Sequence, residues 1–359
     1  MAGLAMNPAF WEGKRVLVTG HTGFKGTWLL WLLHRLGAKV AGLALPATSP
    51  SLFELTGARS IADHHEGDIR DLSTVRRVMG EVRPEIVLHL AAQALVRESY
   101  HDPVTTYGSN VMGTLHVLEA IRSVGGVSAC VVVTTDKIYA NREWQWPYRE
   151  NEALGGHDPY SASKACCELL AESYAASFFA PERYAEHGVA IATARAGNVL
   201  GGGDFAANRL IPDVLAAWSE GSSVILRYPS AVRPWQHVLE PLSGYLLLAE
   251  RLTTSAELAR GAWNFGPAED ATCTVERLVQ LLARDWPQAP GVRVDPAGLH
   301  EAGLLKLDSS RAREYLGWRP RWSLETCLSQ TLAWHRAWHA GLDPRQTTQA
   351  QIDSYLGAP

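Results

Sequence analysis

The chain has 359 residues, 47% of them hydrophobic and 19% charged, with a formal net charge of −4. That is enough apolar chain for one large core or two intimate ones, and the composition excludes collagenous and disordered classes. The net negative charge gives no general attraction for nucleic acid or an anionic membrane, so an anionic ligand requires a local cluster of Arg or Lys. The five cysteines are scattered with no CxxC pair, and Cys166 and Cys167 are adjacent. This usage points to reduced thiols and a cytoplasmic setting. Met1 to Pro8 has no basic region leading into an apolar stretch, so no signal peptide is expected. The apolar run Trp28–Leu33 is far too short to span a bilayer.

In chain order, Arg15–Thr19 is an apolar, β-branched run ending in glycine, and Thr27–Leu36 is helical. Lys39–Leu45 reads as a second strand and Glu85–Leu90 as another. Val104–Ile121 has the pattern of a long helix, Cys130–Thr135 of a buried strand, Pro159–Tyr174 of a helix and Val189–Arg195 of a strand. This alternation predicts an α/β fold with a doubly wound parallel sheet covered by helices on both faces. After Gly197 the elements shorten: Leu210–Ser219, Val224–Arg227, Leu242–Leu252, Ala262–Phe265, Val275–Ala283 and Leu324–His339. They suggest a smaller, irregular second domain with some segments returning to the first. Residues 341–359 read as a loosely held polar tail.

The segment Gly20-His-Thr-Gly23-Phe-Lys-Gly26 lies between the first strand and helix. Glycine allows a tight turn and close backbone approach to a pyrophosphate, and the helix N-terminus offers unpaired N–H groups to the anion. Candidate cofactor contacts here are Gly20, Thr22, Gly23, Phe24, Lys25 and Gly26. The acidic residue expected to bind the ribose at the end of strand two is missing, because Gly42-Leu-Ala-Leu-Pro46 has neither carboxylate nor Arg. Physics alone therefore leaves NAD and NADP open. In Leu90-Ala-Ala-Gln93, the small residues let the backbone run beside a cofactor.

Tyr160 and Lys164 stand four apart on a helix and share a face. A lysine cation beside a phenol favours the phenolate, and a positively charged nicotinamide adds to that shift. Tyr160 can then accept a proton from a hydroxyl whose carbon loses hydride. The glycine loop, the strand ending Thr134-Thr-Asp-Lys137 and the Tyr–Lys pair occur in that order along the chain.

On these residues the chain resembles the extended short-chain dehydrogenases/reductases, within the NAD-dependent epimerase/dehydratase family, from about Trp11 to Trp338. Thr135, Tyr160 and Lys164 match the family's triad. Arg195-Ala-Gly-Asn-Val-Leu-Gly-Gly-Gly-Asp204, Arg209-Leu-Ile-Pro-Asp213 and Arg233-Pro-Trp-Gln-His-Val-Leu-Glu-Pro241 place it near the CDP-glucose branch of the 4,6-dehydratases. The resemblance implies a Rossmann-type NAD domain over residues 1–196 with a segment returning near 235–265. It implies a nucleotide-sugar domain over 197–234 and 266–340. Further cofactor contacts implied are Asp68, Ile69, Leu90, Ala91, Ala92, Gln93, Asn110 and Thr134, with Tyr160 and Lys164. Asp68 would be an adenine anchor, although an acid there can equally serve a helix N-terminus.

The implied reaction has three steps. Hydride leaves C4 of the sugar, water is lost across C5 and C6, and hydride returns to C6. The catalytic set implied is Thr135, Asp136, Lys137, Tyr160 and Lys164. Asp136 would be the acid at the C6 hydroxyl. Lys137 stands where related enzymes carry Glu, and either acts as a base of strongly lowered pKa or steadies the enolate. Gln93, Asn198, Arg209 and Arg233 would hold the nucleotide sugar, the arginines on its diphosphate. A homodimer or homotetramer is implied, packed through Val104–Ile121 and Pro159–Tyr174. Two other readings use the same residues: an epimerase that loses no water, and a non-catalytic nicotinamide sensor. The pair His335 and His339 lacks the Glu of a zinc-protease motif and flanks tryptophans, so no metal is expected.

Overall fold

The computed structural model describes residues 6–268, 271–286, 289–295 and 302–357. Its main sheet has seven parallel strands, β1 (Arg15–Thr19), β2 (Lys39–Ala44), β3 (Asp63–Glu66), β4 (Ile86–His89), β5 (Ala129–Val133), β6 (Ala190–Ala196) and β10 (Gly261–Phe265). Their order is β10-β6-β5-β4-β1-β2-β3. The chain runs outward from β1 to β3, returns to β4 on the other side of β1, and runs outward again. Ligands of open α/β sheets bind at such a reversal, outside the carboxyl ends of the strands.

Alternate strand residues feed two cores. Val16, Val18, Ile86, Leu88, Val131 and Val133 pack on one face against α1 (Phe24–Arg35) and α6 (Leu239–Thr254). Leu17, Leu43, Val87, Cys130, Val132 and Ile191 pack on the other against α2 (Leu72–Val82), α3 (Gly113–Val124) and α4 (Pro159–Ser177). Burial on both faces explains why these strands read as continuous apolar runs. Strand β3, with the sequence Asp-His-His-Glu, carries no such signal. It exists because its backbone pairs with β2 at the sheet edge, Ala41 opposite Asp63.

A second lobe has its own core, with Ile211, Trp218, Leu278 and Leu328 among its members. It contains α5 (Leu210–Ser219), α7 (Val275–Arg284), α8 (Leu324–His339) and three short strands, β7 (Asn198–Leu200), β9 (Val232–His237) and β11 (Thr272–Thr274). Strand β9 pairs parallel with β7 and antiparallel with β11. A two-stranded parallel ribbon joins β8 (Val224–Leu226) to β12 (Val292–Val294). Between these pieces, α6 and β10 return to the main sheet.

Two expectations are corrected. The long helix expected at Val104–Ile121 widens into a π turn at Gly108–Met112, between Pro103–Tyr107 and α3. Such turns often mark functional sites. The polar tail forms helix α9 (Pro344–Leu356), capped by Asp343, as far as the chain is described. Its Ile352 and Tyr355 enter the first core. The Tyr355 hydroxyl donates to Oε2 of buried Glu240 at 2.8 Å, and Glu240 also accepts the backbone N–H groups of Arg321 and Trp322. Only two apolar side chains of α9 are buried, too few for an amphipathic signal. Tyr355→Phe removes one of the donors to a buried carboxylate, and should lower unfolding free energy by about 1–3 kcal/mol, measured by urea denaturation.

Candidate active site

The glycine loop is closed by sterics. Gly20 has φ +75°, and a Cβ there would lie 2.7 Å from the backbone of Ala91. A Cβ at Gly26 would lie 2.2 Å from the Gly20 carbonyl oxygen. Gly23 is different: it caps α1 without a side-chain hydrogen bond, and a Cβ would meet only Gly20 O, at 3.4 Å. The space before the first turn of α1 is therefore open and lined by unpaired amides, which fits a dinucleotide pyrophosphate. Thr22 donates to the Leu45 carbonyl at 3.0 Å, and the Phe24 ring lies over Gly201. His21, which the sequence reading passed over, is buried with its Nε2 2.7 Å from Nδ1 of His64. Its ring fills the room a side chain at Gly42 would need, and burial pushes its pKa down to about 4.

The other expected cofactor residues are mostly committed locally. Asp68 accepts from Arg70, at 2.8 Å from the backbone N and 2.6 Å from Nη2. Asp71, not Asp68, caps α2. Ile69 packs into the second core, and its carbonyl meets Nδ1 of His116 at 2.9 Å. Leu90, Ala91 and Ala92 follow β4, and the Ala91 N–H donates to Thr19 Oγ1 at 3.1 Å. The Asn110 carboxamide, from the π turn, accepts from Gln93 N and donates to Gln93 O and Ser163 Oγ. The Gln93 side chain binds Leu95 and Thr106, so it braces its own loop.

At the carboxyl end of β5 the structure gathers the catalytic candidates. Thr135 Oγ1 donates to Asp136 Oδ1 at 3.1 Å, accepts from Lys137 N at 3.4 Å, and lies beside the Tyr160 phenol. Asp136 is buried, and its Oδ2 has no hydrogen-bond partner. Burial raises its pKa, with the charges of Lys137, Arg233 and Lys25 pulling the other way. Lys164 Nζ donates to the Val133 carbonyl at 3.0 Å. Tyr160 behaves differently from expectation in the chain alone: burial pushes its pKa up to about 12, outweighing Thr135 and Arg209. A phenolate here needs further positive charge. Lys25 is half-buried among Arg209, Lys164 and Asp136, and desolvation lowers its pKa to about 8.

Of the expected substrate residues, Arg209 pairs with Asp204 at 3.0 Å and reaches the field of Tyr160. Arg233 is buried on β9, beside Asp136. Asn198 lies on β7, opposite Trp235. Two further residues belong to the cluster and were missed. Tyr245 of α6 lies beneath Lys25, 5.8 Å from Nζ to ring centroid, with a buried hydroxyl that has no partner. Nothing in its apolar helix marks it. Glu168 of α4 accepts from Thr134, Thr193 and Arg195. Its spacing, four beyond Lys164, was a usable signal. A cleft of about 1190 Å³ lies on another side of α4, with Glu168 in its lining and neither Tyr160 nor Lys164. Gly26→Ala should cost about 1–3 kcal/mol through overpacking and weaken dinucleotide binding, measured by thermal melting with and without cofactor.

Comparison with known proteins agrees with this arrangement. The sequence profile described as GDP-mannose 4,6 dehydratase matches residues 17–331. A CDP-glucose 4,6-dehydratase of Salmonella typhimurium is 50% identical over 351 residues, 97% of this chain and 98% of that protein. A dTDP-glucose 4,6-dehydratase of Streptomyces griseus is 31% identical, over 92% of this chain and 97% of that one. The UDP-glucose 4-epimerase of Thermus thermophilus, solved in complex with NAD, superposes with a TM-score of 0.77 at 27% identity, covering 89% of this chain and 98% of the other. With the glycine loop, the β5 tip and the Tyr160–Lys164 helix all inside the matched span, the chain belongs to the GDP-mannose 4,6 dehydratase family.

Proposed function

We propose that the chain is an NAD-dependent CDP-glucose 4,6-dehydratase, a hydro-lyase that forms CDP-4-keto-6-deoxyglucose and water. The observation that carries the reading is Asp136, a buried carboxyl with an unpartnered oxygen beside Thr135 and Tyr160. Burial keeps it protonated to higher pH than an exposed acid. A neutral acid poised next to the Tyr–Lys pair suits protonation of a leaving hydroxyl, a step that epimerisation lacks. The nucleotide is taken from the relative at 50% identity.

Bound NAD supplies a hydride acceptor for C4 and later a donor for C6. The amides of α1 and the open face of Gly23 would hold its pyrophosphate, with Thr22, Phe24 and Lys25 around it. Tyr160 removes the C4 hydroxyl proton, aided by Thr135 and the Lys164 charge. Asp136 gives its proton to the departing C6 hydroxyl. Lys137, adjacent to Asp136, would accept the C5 proton and return it to C5 as hydride reaches C6, its positive charge steadying the enolate in between. Arg209, Arg233 and Asn198 hold the diphosphate and orient the sugar, since a guanidinium matches phosphate oxygens in pairs. Gln93 and Asn110 keep the β4 loop in place.

The assay is incubation with CDP-glucose and catalytic NAD, followed by mass spectrometry of the product. Loss of one water without net cofactor reduction is expected. A product of unchanged mass would make the chain an epimerase, and an untouched substrate would reject CDP-glucose. Asp136→Asn should lower kcat for dehydration by about 10²-fold or more while the reduced-nicotinamide signal still forms on mixing. Because Asp136 acts as an acid, the elimination step should also slow as pH rises through its raised pKa.

The assembly is proposed as a homodimer or homotetramer. Val104, Tyr107, Met112 and Leu169 are exposed on the helices at Pro103–Tyr107 and Gly108–Met112 and on α4, which pack together. Leu169→Glu is expected to yield monomers in sedimentation velocity, where the parent chain gives a larger species. A cytoplasmic location is proposed from the five free cysteines, three of them buried. Among the described residues no helix is long and apolar enough to cross a membrane.

A further inference from the structure

Glu168 is 4% exposed and sits one helical turn beyond Lys164. Its Oε1 accepts from Thr134 Oγ1 and from Arg195 Nε at 3.0 Å. Its Oε2 accepts from Thr193 Oγ1 at 2.5 Å and from Arg195 Nη2 at 2.9 Å. Arg195 continues outward, with Nη1 donating to the Tyr139 hydroxyl at 2.9 Å and to the Glu150 carbonyl at 3.0 Å. Tyr139 donates in turn to Asn264 Oδ1 on β10 at 2.8 Å. One carboxylate thus ties α4 to the tips of β5 and β6, and through Arg195 to the loop after β5 and to β10.

The charges around it are unbalanced. Lys164 and Arg195 are both buried; Glu168 pairs with Arg195 and stands one helical turn from Lys164, and Glu150 also lies within electrostatic reach of Arg195. The other groups facing Lys164 are Tyr160 and Cys167 on α4, Lys25 on α1 and His89 on β4. His89 is held neutral by burial, with its pKa lowered to about 3. None of these supplies a resting anion, since burial raises both the Cys167 thiol and the Tyr160 phenol. An arginine cannot lose its proton in a protein, whereas a buried lysine can.

We propose that Glu168 is a positioning residue of the active site: it is the counter-charge of Lys164 and the tether that fixes Thr134, and so Thr135, against the helix carrying Tyr160. Without its charge, the buried cations Arg195 and Lys164 would lose a shared counter-charge, and Lys164 would hold its proton less firmly. Burial already lowers the Lys164 pKa, and Cys167 and Glu168 oppose that shift, Glu168 being the one of the two that is an acid of the carboxyl class. The role rests on the dehydratase reading. The unsubstituted enzyme is the reference, so its failure to turn over CDP-glucose would count against that reading alone.

The test is the pH dependence of kcat and KM for CDP-glucose in Glu168→Gln, Glu168→Asp and Thr193→Val. Activity requires Lys164 charged, so it falls on the alkaline side as Lys164 deprotonates. Loss of the Glu168 charge moves that limb to lower pH. For Glu168→Gln the expected shift is about one unit, a tenfold change in the Lys164 proton equilibrium, with kcat falling and KM nearly constant. Glu168→Asp keeps the charge and shortens the tether, so kcat falls while the alkaline limb stays. Thr193→Val removes one donor and should lower Tm without moving either limb. An alkaline limb unmoved in folded Glu168→Gln, or a rise in KM at constant kcat, overturns the proposal. Should Glu168→Gln fail to fold, Glu168→Asp decides: a limb shifted despite the retained charge overturns it, and a fixed limb with lowered kcat supports it.

Discussion

The divergence of β1 and β4 governs everything placed above the sheet. Two loops leave neighbouring strand ends in opposite directions, and the gap between them is where a long ligand can lie. A short polar chain holds the gap's base. Thr19 Oγ1 lies 2.7 Å from His89 Nδ1, and His89 Nε2 lies 2.9 Å from Thr114 Oγ1. Thr19 also receives the Ala91 N–H. Three elements are thus joined by one buried, neutral imidazole, and the glycine loop is pressed against Ala91 so closely that Gly20 tolerates no side chain.

On that base the chain assembles a pocket of mostly positive charge. Lys25, Lys137, Arg209 and Arg233 lie within electrostatic reach of Asp136 or Tyr160, and Lys164 within reach of Lys25. The whole molecule is acidic, at −4, so the cationic cluster is local. Lys164 and Arg233 are buried and the other three partly so, which is costly unless anions share the site. Diphosphates of a cofactor and a nucleotide sugar are anions of suitable charge. The same burial works oppositely on acids, raising Asp136 and Tyr160 and leaving both as proton carriers.

The second lobe is attached by return rather than by a linker. Helix α6 packs into the core of the main sheet and β10 extends that sheet beside β6. Strands β7 and β9, which precede both in sequence, carry Asn198 and Arg233. Helix α9 closes the arrangement from outside, through Tyr355 and buried Glu240. Arginines in the second lobe are thereby held in fixed relation to the tip of β5.

The sequence by itself determined the sheet strands buried on both faces, because a run such as Cys130–Val133 has few other homes. It also determined the glycine loop, whose spacing follows from backbone sterics, and the shared face of Tyr160 and Lys164, which follows from helical geometry. The family resemblance supplied Asp136, Arg209 and Arg233 as candidates, and the fold places Asp136 and Arg209 near Lys25 and Tyr160, and Arg233 near Asp136. Only the tertiary structure decided the rest. Polar β3 is a strand through its partner's hydrogen bonds, α9 is a helix through two buried side chains and a capping Asp, and Tyr245 reaches the site from an otherwise apolar helix. The protonation balance was also decided there: the Tyr–Lys spacing suggested a lowered phenol pKa, but desolvation depends on what surrounds the ring. Local pattern records periodicity and sterics, whereas burial and charge compensation belong to residues far apart in the chain.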